Sequence, residues 1–293
     1  MCDQDHFDDD LKKYTAGGAV TRRDFAALTL GAGMAFMLPR TANAVAVTES
    51  DVKIKTPDGT CDAYFVHPAS GTAPGVLVWP DILGLRPAFR QMGKRLAESG
   101  YSVLVVNPFY RTKPSPVVPA GAKFSDPAIR KEVMGFAGTL SPTTHVTDAK
   151  AFIGWLDTQA AVDKRRKMGT TGYCMGGPMT MRTAATMPDR VGAAASFHGG
   201  GLANVKSADS PHLLVPQMKV QYLIAIAEND DQRDPESKNI LKETFAKASL
   251  PAEIEVYAGA AHGWTVPDSE VYNEAAAEKA WSRLLALFGK ALT

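Results

Sequence analysis

The chain has 293 residues, with 32 Lys and Arg against 31 Asp and Glu, so its formal net charge is only +1. Balanced charge argues against nucleic acid or an anionic membrane surface as a partner. The length allows one large α/β domain or at most two smaller ones, and three cysteines, one of them Cys2, are too few for a disulfide framework.

The first 44 residues read as a leader. Thr21-Arg22-Arg23-Asp24-Phe25 precedes an apolar run over 26–38 that contains Gly31 and Gly33, followed by Pro39 and Ala42-Asn43-Ala44. A basic pair, a modest apolar region and a small-x-small cleavage site form the order of an export signal, and this one resembles the twin-arginine type, with cleavage after Ala44. The alternative is a disordered leader ending in a short buried helix. The run is too short and too rich in small residues to span a bilayer stably. The expectation is an export signal over 1–44 and a periplasmic or secreted mature chain over 45–293. The export machinery is then a partner of the precursor, with no stable membrane association. Export of this type carries folded proteins, which suits a chain that needs a reduced cysteine. Cys2 does not follow the apolar run and is not placed for lipid attachment.

In the mature chain, 45–55 alternates apolar and polar residues, Pro57-Asp58-Gly59 makes a turn and 61–67 returns, predicting a hairpin. Residues 75–79 are continuously apolar, as expected of a strand buried on both faces. A helix over 87–99, a strand over 101–106, a proline-rich loop over 108–123 and a helix over 144–156 follow. Then come a strand over 167–171, a helix over 178–187 and strands over 191–197 and 220–227. A helix over 236–248, a strand over 254–257 and a closing helix over 270–292 complete the chain. Strands alternating with helices predict one α/β domain, a mostly parallel sheet with helices on both faces. Cys61 reads as a buried free thiol.

The chemistry concentrates at Gly172-Tyr173-Cys174-Met175-Gly176-Gly177, between a predicted strand and a predicted helix. This is the nucleophile-elbow pattern G-x-S-x-G with sulfur in place of oxygen. The turn is too tight for neighbouring side chains, and the N-terminus of the next helix favours thiolate. A structural cysteine beside a glycine turn is the alternative. A thiol nucleophile needs a base and a group to orient that base. Four of the six histidines are set aside: His6 lies in the leader, His67 ends an early strand, His145 opens a helix and His212 follows Pro211. His198 and His262 both follow strand ends, where catalytic groups of such sheets gather. The chain order nucleophile, acid, base selects His262, because Glu228-Asn229-Asp230-Asp231 lies between it and Cys174. Asp230 is favoured over Asp231 as the acid, and His198 becomes a pocket-lining candidate. The backbone N–H groups of Met175 and Ile82 are the candidate oxyanion donors. No H-E-x-x-H, phosphate loop or dinucleotide fingerprint is present, so no metal or cofactor is expected.

Gly-x-Cys-x-Gly-Gly, an acidic residue then Ile-Leu-Gly in Asp81-Ile82-Leu83-Gly84, Asn229-Asp230 and His262-Gly263-Trp264 together resemble the dienelactone hydrolase family over about residues 50–290. The resemblance implies an α/β-hydrolase fold. It also implies hydrolysis of an unsaturated lactone, carboxymethylenebutenolide, through a cysteine acyl-enzyme without metal or cofactor. Asp81 matches a family glutamate that contacts the thiol and promotes thiolate, with a side chain one methylene shorter. Asn107-Pro108-Phe109-Tyr110-Arg111 resembles a segment whose arginine holds a substrate carboxylate, which makes Arg111 a substrate-binding candidate. Trp264 joins Arg111 and His198 as a candidate for the substrate site. The family's second arginine has no counterpart here, where Val266 stands. The expected reaction is opening of a lactone or small carboxylic ester by a Cys174–Asp230–His262 triad. A general carboxylesterase or thioesterase on the same triad, or a non-catalytic binding protein of the same fold, are the alternatives.

Overall fold

A computed structural model of the chain describes residues 4–15, 38–39 and 43–293. Arg22, Arg23 and the apolar run up to Met37 lie outside the described residues, so the fold bears on the export reading neither way. Eight strands form one sheet: β1 (Val47–Thr56), β2 (Gly59–Pro68), β3 (Gly75–Trp79), β4 (Ser102–Val106), β5 (Met168–Tyr173), β6 (Val191–Phe197), β7 (Gln221–Ala227) and β8 (Ala252–Tyr257). Their order across the sheet is β1-β2-β4-β3-β5-β6-β7-β8. The β1–β2 and β2–β4 pairs are antiparallel and every later pair is parallel. The hairpin closes tightly, with Thr56 opposite Gly59.

The helices among the described residues are α1 (Gln4–Thr15), α2 (Pro87–Glu98), α3 (Pro127–Ala137), α4 (Pro142–Thr158), α5 (Gly176–Thr186), α6 (Glu228–Arg233), α7 (Ser237–Lys247) and α8 (Glu274–Ala291). A 3₁₀ segment spans Pro211–Gln217. Strand alternation divides the core into two layers. Val76 and Val78 of β3 and Val103 and Val105 of β4 pack with Phe89 and Leu96 of α2 and Leu284 and Phe288 of α8. Leu77, Trp79, Leu104 and Val106 face the other way, onto Phe152 and Leu156 of α4, Met179 of α5 and Phe245 of α7. Helices on both faces of a mainly parallel sheet, in this strand order, make the α/β-hydrolase fold.

Differences from the sequence expectations have local causes. The closing helix starts at Glu274 rather than 270, because the Asn273 side chain caps it by accepting from Ala276 N at 3.1 Å. Helix α3 was not anticipated; Asp126 caps it, accepting from Ala128 N at 2.7 Å, with Pro127 in its first turn. The acidic stretch after β7, to which no element was assigned from the sequence, is the short helix α6. His145, near the start of α4, has both ring nitrogens buried without a hydrogen-bond partner among the described residues, and burial drives its pKa down to about 3. Cys61 is buried and free.

Candidate active site

Cys174 immediately follows β5 and precedes α5, with φ at +53°. A non-glycine residue held in this left-handed region is strained, and the surroundings must fix it. Cys174 N donates to Phe197 O at 3.0 Å, and its own carbonyl accepts from Gly177 N at 3.0 Å. The flanking glycines are steric necessities. A Cβ on Gly172 would stand 2.2 Å from Gly176 O, and one on Gly176 would stand 2.3 Å from Trp79 O. That second approach also seats the loop after β3 against the start of α5, next to the thiol. Cys174 is half-buried and faces a cavity of about 300 Å³.

His262 lies in the loop after β8. Two bonds tie this loop to α6: Glu228 N donates to Ala260 O at 2.9 Å, and His262 N donates to Asn229 Oδ1 at 2.9 Å. The side chains then meet, with His262 Nδ1 2.7 Å from Asp230 Oδ2. Asp231 turns away and accepts from Lys238 Nζ at 2.6 and 2.7 Å. His262 Nε2 is buried without a conventional hydrogen-bond partner among the described residues, and the sulfur of Cys174 is close enough to favour its cation. Burial alone would lower the His262 pKa. The Asp230 carboxylate and then Cys174 outweigh it, so the pKa rises well above the usual value.

His198 lines the same cavity with φ at +41°, and its ring meets that of His262 edge-on at 5.0 Å. Its Nε2 is 2.9 Å from Thr265 Oγ1. Burial, followed by the charge of His262, holds its pKa well below the usual value, so it stays neutral.

The remaining sequence candidates divide. Ile82 lines the cavity, and Met175 follows the thiol. Among the described residues neither N–H is taken by a turn or side-chain acceptor. Asp81 also borders the cavity, but Arg86 takes both of its oxygens, at 2.6 and 2.9 Å, and Leu83 N donates to Oδ1 at 2.9 Å. No hydrogen bond joins it to Cys174 among the described residues; its short side chain is committed to the guanidinium instead. Arg86 is shared with Asp268, at 2.7 and 2.8 Å, so it carries no spare charge into the cavity. Arg111 does not border the cavity: its guanidinium binds Asp148 at 2.7 and 2.9 Å and also reaches Asp58. Trp264 is fully buried behind the site, between His198 and Tyr257, and is a core residue rather than a cavity wall. The apolar walls come instead from Ile82, Leu83, Phe124, Met134 and Ala137. The Asp126-Pro127 helix start was the available signal for the element that carries Met134 and Ala137. Among the described residues no group of three His, Cys, Asp or Glu side chains is arranged to hold a metal ion. None of their helices is long and apolar enough to cross a membrane.

A sequence profile described as the Dienelactone hydrolase family matches residues 61–292. The chain belongs to the dienelactone hydrolase family. It is 27% identical over 245 residues to a carboxymethylenebutenolidase of Rhodococcus opacus, covering 82% of this chain and 90% of the relative. Among solved structures, it superposes with a TM-score of 0.69 on a dienelactone hydrolase-like promiscuous phosphotriesterase from metagenomic libraries. That pair is 22% identical, with 85% of this chain and all of that one covered. A dienelactone hydrolase of Anabaena variabilis superposes with a TM-score of 0.60 at 15% identity, covering 84% of this chain and 99% of that one. Membership makes the protein a dienelactone hydrolase-like hydrolase of lactone or ester substrates.

Proposed function

We propose that the protein opens a lactone or small carboxylic ester through an acyl-enzyme on Cys174, with His262 as acid and base and Asp230 as its orienting carboxylate. The observation that carries this reading is the 2.7 Å contact of His262 Nδ1 with Asp230, beside a half-buried thiol at the N-terminus of α5. An imidazole whose pKa is raised by a carboxylate and a thiol favours the thiolate–imidazolium pair at neutral pH.

The thiolate attacks the carbonyl carbon, and the developing oxyanion is held by the N–H groups of Met175 and Ile82. Each such donor is typically worth about 3 kcal/mol of transition-state stabilisation. Collapse breaks the acyl C–O bond, and His262 Nε2 passes its proton to the leaving oxygen, which in a lactone stays on the same molecule. Water then attacks the thioester, His262 accepts its proton, and breaking the C–S bond restores the thiolate–imidazolium pair. The apolar walls suit a compact acyl group, and the carboxymethylenebutenolidase relative supports a lactone as substrate. With Arg111 tied to Asp148 and a buried Val266 where the family's second arginine would stand, neither position offers a cation to a substrate carboxylate. We further propose that the chain is exported as a folded precursor and cleaved after Ala44.

The test is a hydrolysis panel of lactones, aryl esters and thioesters with the wild-type chain, Cys174→Ala and Cys174→Ser. Cys174→Ala should lose many powers of ten in turnover, with traces left in Cys174→Ser. Retention of more than roughly a tenth of wild-type turnover by Cys174→Ala would refute the covalent mechanism.

A further inference from the structure

Helix α1 lies upstream of the leader pattern in sequence, yet it packs on the helix that carries Asp230. Asp10 Oδ2 accepts from Asn229 Nδ2 at 2.8 Å and also pairs with Arg233 Nη2. Tyr14 OH donates to Glu228 Oε2 at 2.8 Å. Leu11, between them in sequence, lines the cavity that holds Cys174 and His262. Positions 10, 11 and 14 share one helical face, and the opposite face carries the exposed Lys12 and Lys13. The anchoring is therefore one-sided and specific: an acid, an apolar residue and a hydroxyl meet an amide and guanidinium, the cavity and a carboxylate. Asn229 is buried, and while its Nδ2 holds Asp10 its Oδ1 holds His262 N, so one side chain joins α1 to the histidine loop. A 12-residue helix is marginal alone in water, so its order depends on this contact.

We infer that the exposed face of α6 is a docking surface for the chain's own N-terminal helix, which in the full-length chain covers the mouth of the catalytic cavity. Covering restricts bulky molecules more than small ones, because α1 contributes a wall and leaves the thiol's own surroundings intact. On the export reading, cleavage after Ala44 removes α1 with the leader. The folded precursor then has a covered site and the mature chain an open one. Departure of α1 also frees Asn229 Nδ2 at the cavity rim and leaves Arg233 with Asp230 Oδ1, 3.8 Å away, as its remaining carboxylate.

Cys174 serves here as the reactive thiol of the proposed function, on which the inference rests, and the test reads that thiol without requiring turnover. In a full-length Cys2→Ser background, Cys174 modification is timed with iodoacetamide and with a fluorescein maleimide. The readout is the ratio of the bulky rate to the small one, in which changes of intrinsic thiol reactivity largely cancel between variants. Asp10→Lys combined with Leu11→Glu should raise this ratio about two- to fivefold, since a partly exposed charged contact commonly holds up to about that factor. Asp10→Glu should keep a low ratio, and Lys12→Ala with Lys13→Ala, on the exposed face, should leave it unchanged. An unchanged ratio in Asp10→Lys/Leu11→Glu overturns the inference. A second measurement is independent of substitutions: amide exchange in the native chain should be slower over 9–15 than in the free peptide. Equal exchange in the two would likewise overturn it. Slow modification by iodoacetamide in every variant would count against Cys174 as the activated nucleophile, while the ratio would still decide the docking.

Discussion

Replacing Arg111 with alanine should destabilise the fold and leave substrate discrimination alone. The guanidinium makes a two-point contact with Asp148, at 2.7 and 2.9 Å, and stacks over the Tyr110 ring with 4.5 Å to its centroid. The Asp148 side chain is only 2% exposed, so losing its cation strands a charge in the interior. Breaking a buried pair from one side typically costs about 3–5 kcal/mol. The lower end applies here, because Tyr110 OH still donates to Asp148 at 2.8 Å and Arg111 itself is 16% exposed. About 3 kcal/mol in a domain of this size corresponds to a fall in Tm of roughly 6–12 °C. Arg111→Met with Asp148→Leu removes the stranded charge and should recover most of the loss. The assay is thermal unfolding at neutral pH, beside kcat/KM for a carboxylate-bearing ester and its neutral isostere. A Tm within about 2 °C of wild type, with a tenfold fall in the charged-to-neutral ratio, would refute this reasoning and return Arg111 to the substrate.

Gly176→Ala should impair both stability and turnover, because its Cβ would meet Trp79 O at 2.3 Å and push away the loop that supplies Ile82. Overpacking of this kind costs about 1–3 kcal/mol, and a shift of about 1 Å in a positioning loop can cost on the order of a hundredfold in rate; normal kcat/KM in the folded variant would refute the link. His198, held neutral in the fold, should make the protein less stable as pH falls below about 6.5, where the unfolded chain takes up a proton that the folded chain refuses. The loss is up to about 1.4 kcal/mol per pH unit, so urea midpoints measured between pH 6.5 and 5 should fall more steeply in wild type than in His198→Gln; parallel slopes would contradict the assignment. Arg22→Lys with Arg23→Lys should leave unprocessed precursor in the cytoplasm; normal export, or a mature N-terminus far from Val45 on sequencing, would count against the leader reading.

The parallel sheet was legible because strands buried on both faces have few polar positions to spare: Gly75–Trp79 is uninterrupted and Val191–Phe197 carries only Ser196, and every residue in them is buried. The order of Cys174, Asp230 and His262 along the chain was legible for a topological reason, since each follows the carboxyl end of a strand of the parallel sheet. What a side chain does at long range was not legible. Arg111 belongs to a motif-like segment, but its partners Asp58 and Asp148 are 53 and 37 positions away, and only the packing of the hairpin and α4 brings them together. The fate of Asp81 was closer to hand. Arg86 stands five residues on, and a short carboxylate beside an arginine that opens a helix is captured locally before it can reach a thiol. Trp264 follows His262 by two positions, and the intervening Gly263, at φ +108°, turns the chain so that the indole enters the core.

The two cavity histidines have opposite electrostatic fates, and the difference lies in the groups that each nitrogen meets. His262 has a carboxylate on one side and a thiol on the other, so its cation is favoured despite burial. His198 has a threonine hydroxyl at Nε2, aromatic rings around it and no carboxylate beside it among the described residues, so its desolvation outweighs the one backbone contact that favours its cation. With the rings 5.0 Å apart, a second imidazolium would oppose the first. Keeping His198 neutral therefore preserves the proton on His262 and, through it, the thiolate that the proposed chemistry requires. A neutral neighbour is thus what the proposed thiolate–imidazolium pair requires, and the burial of His198 against Trp264, which its place at a strand end did not reveal, supplies one.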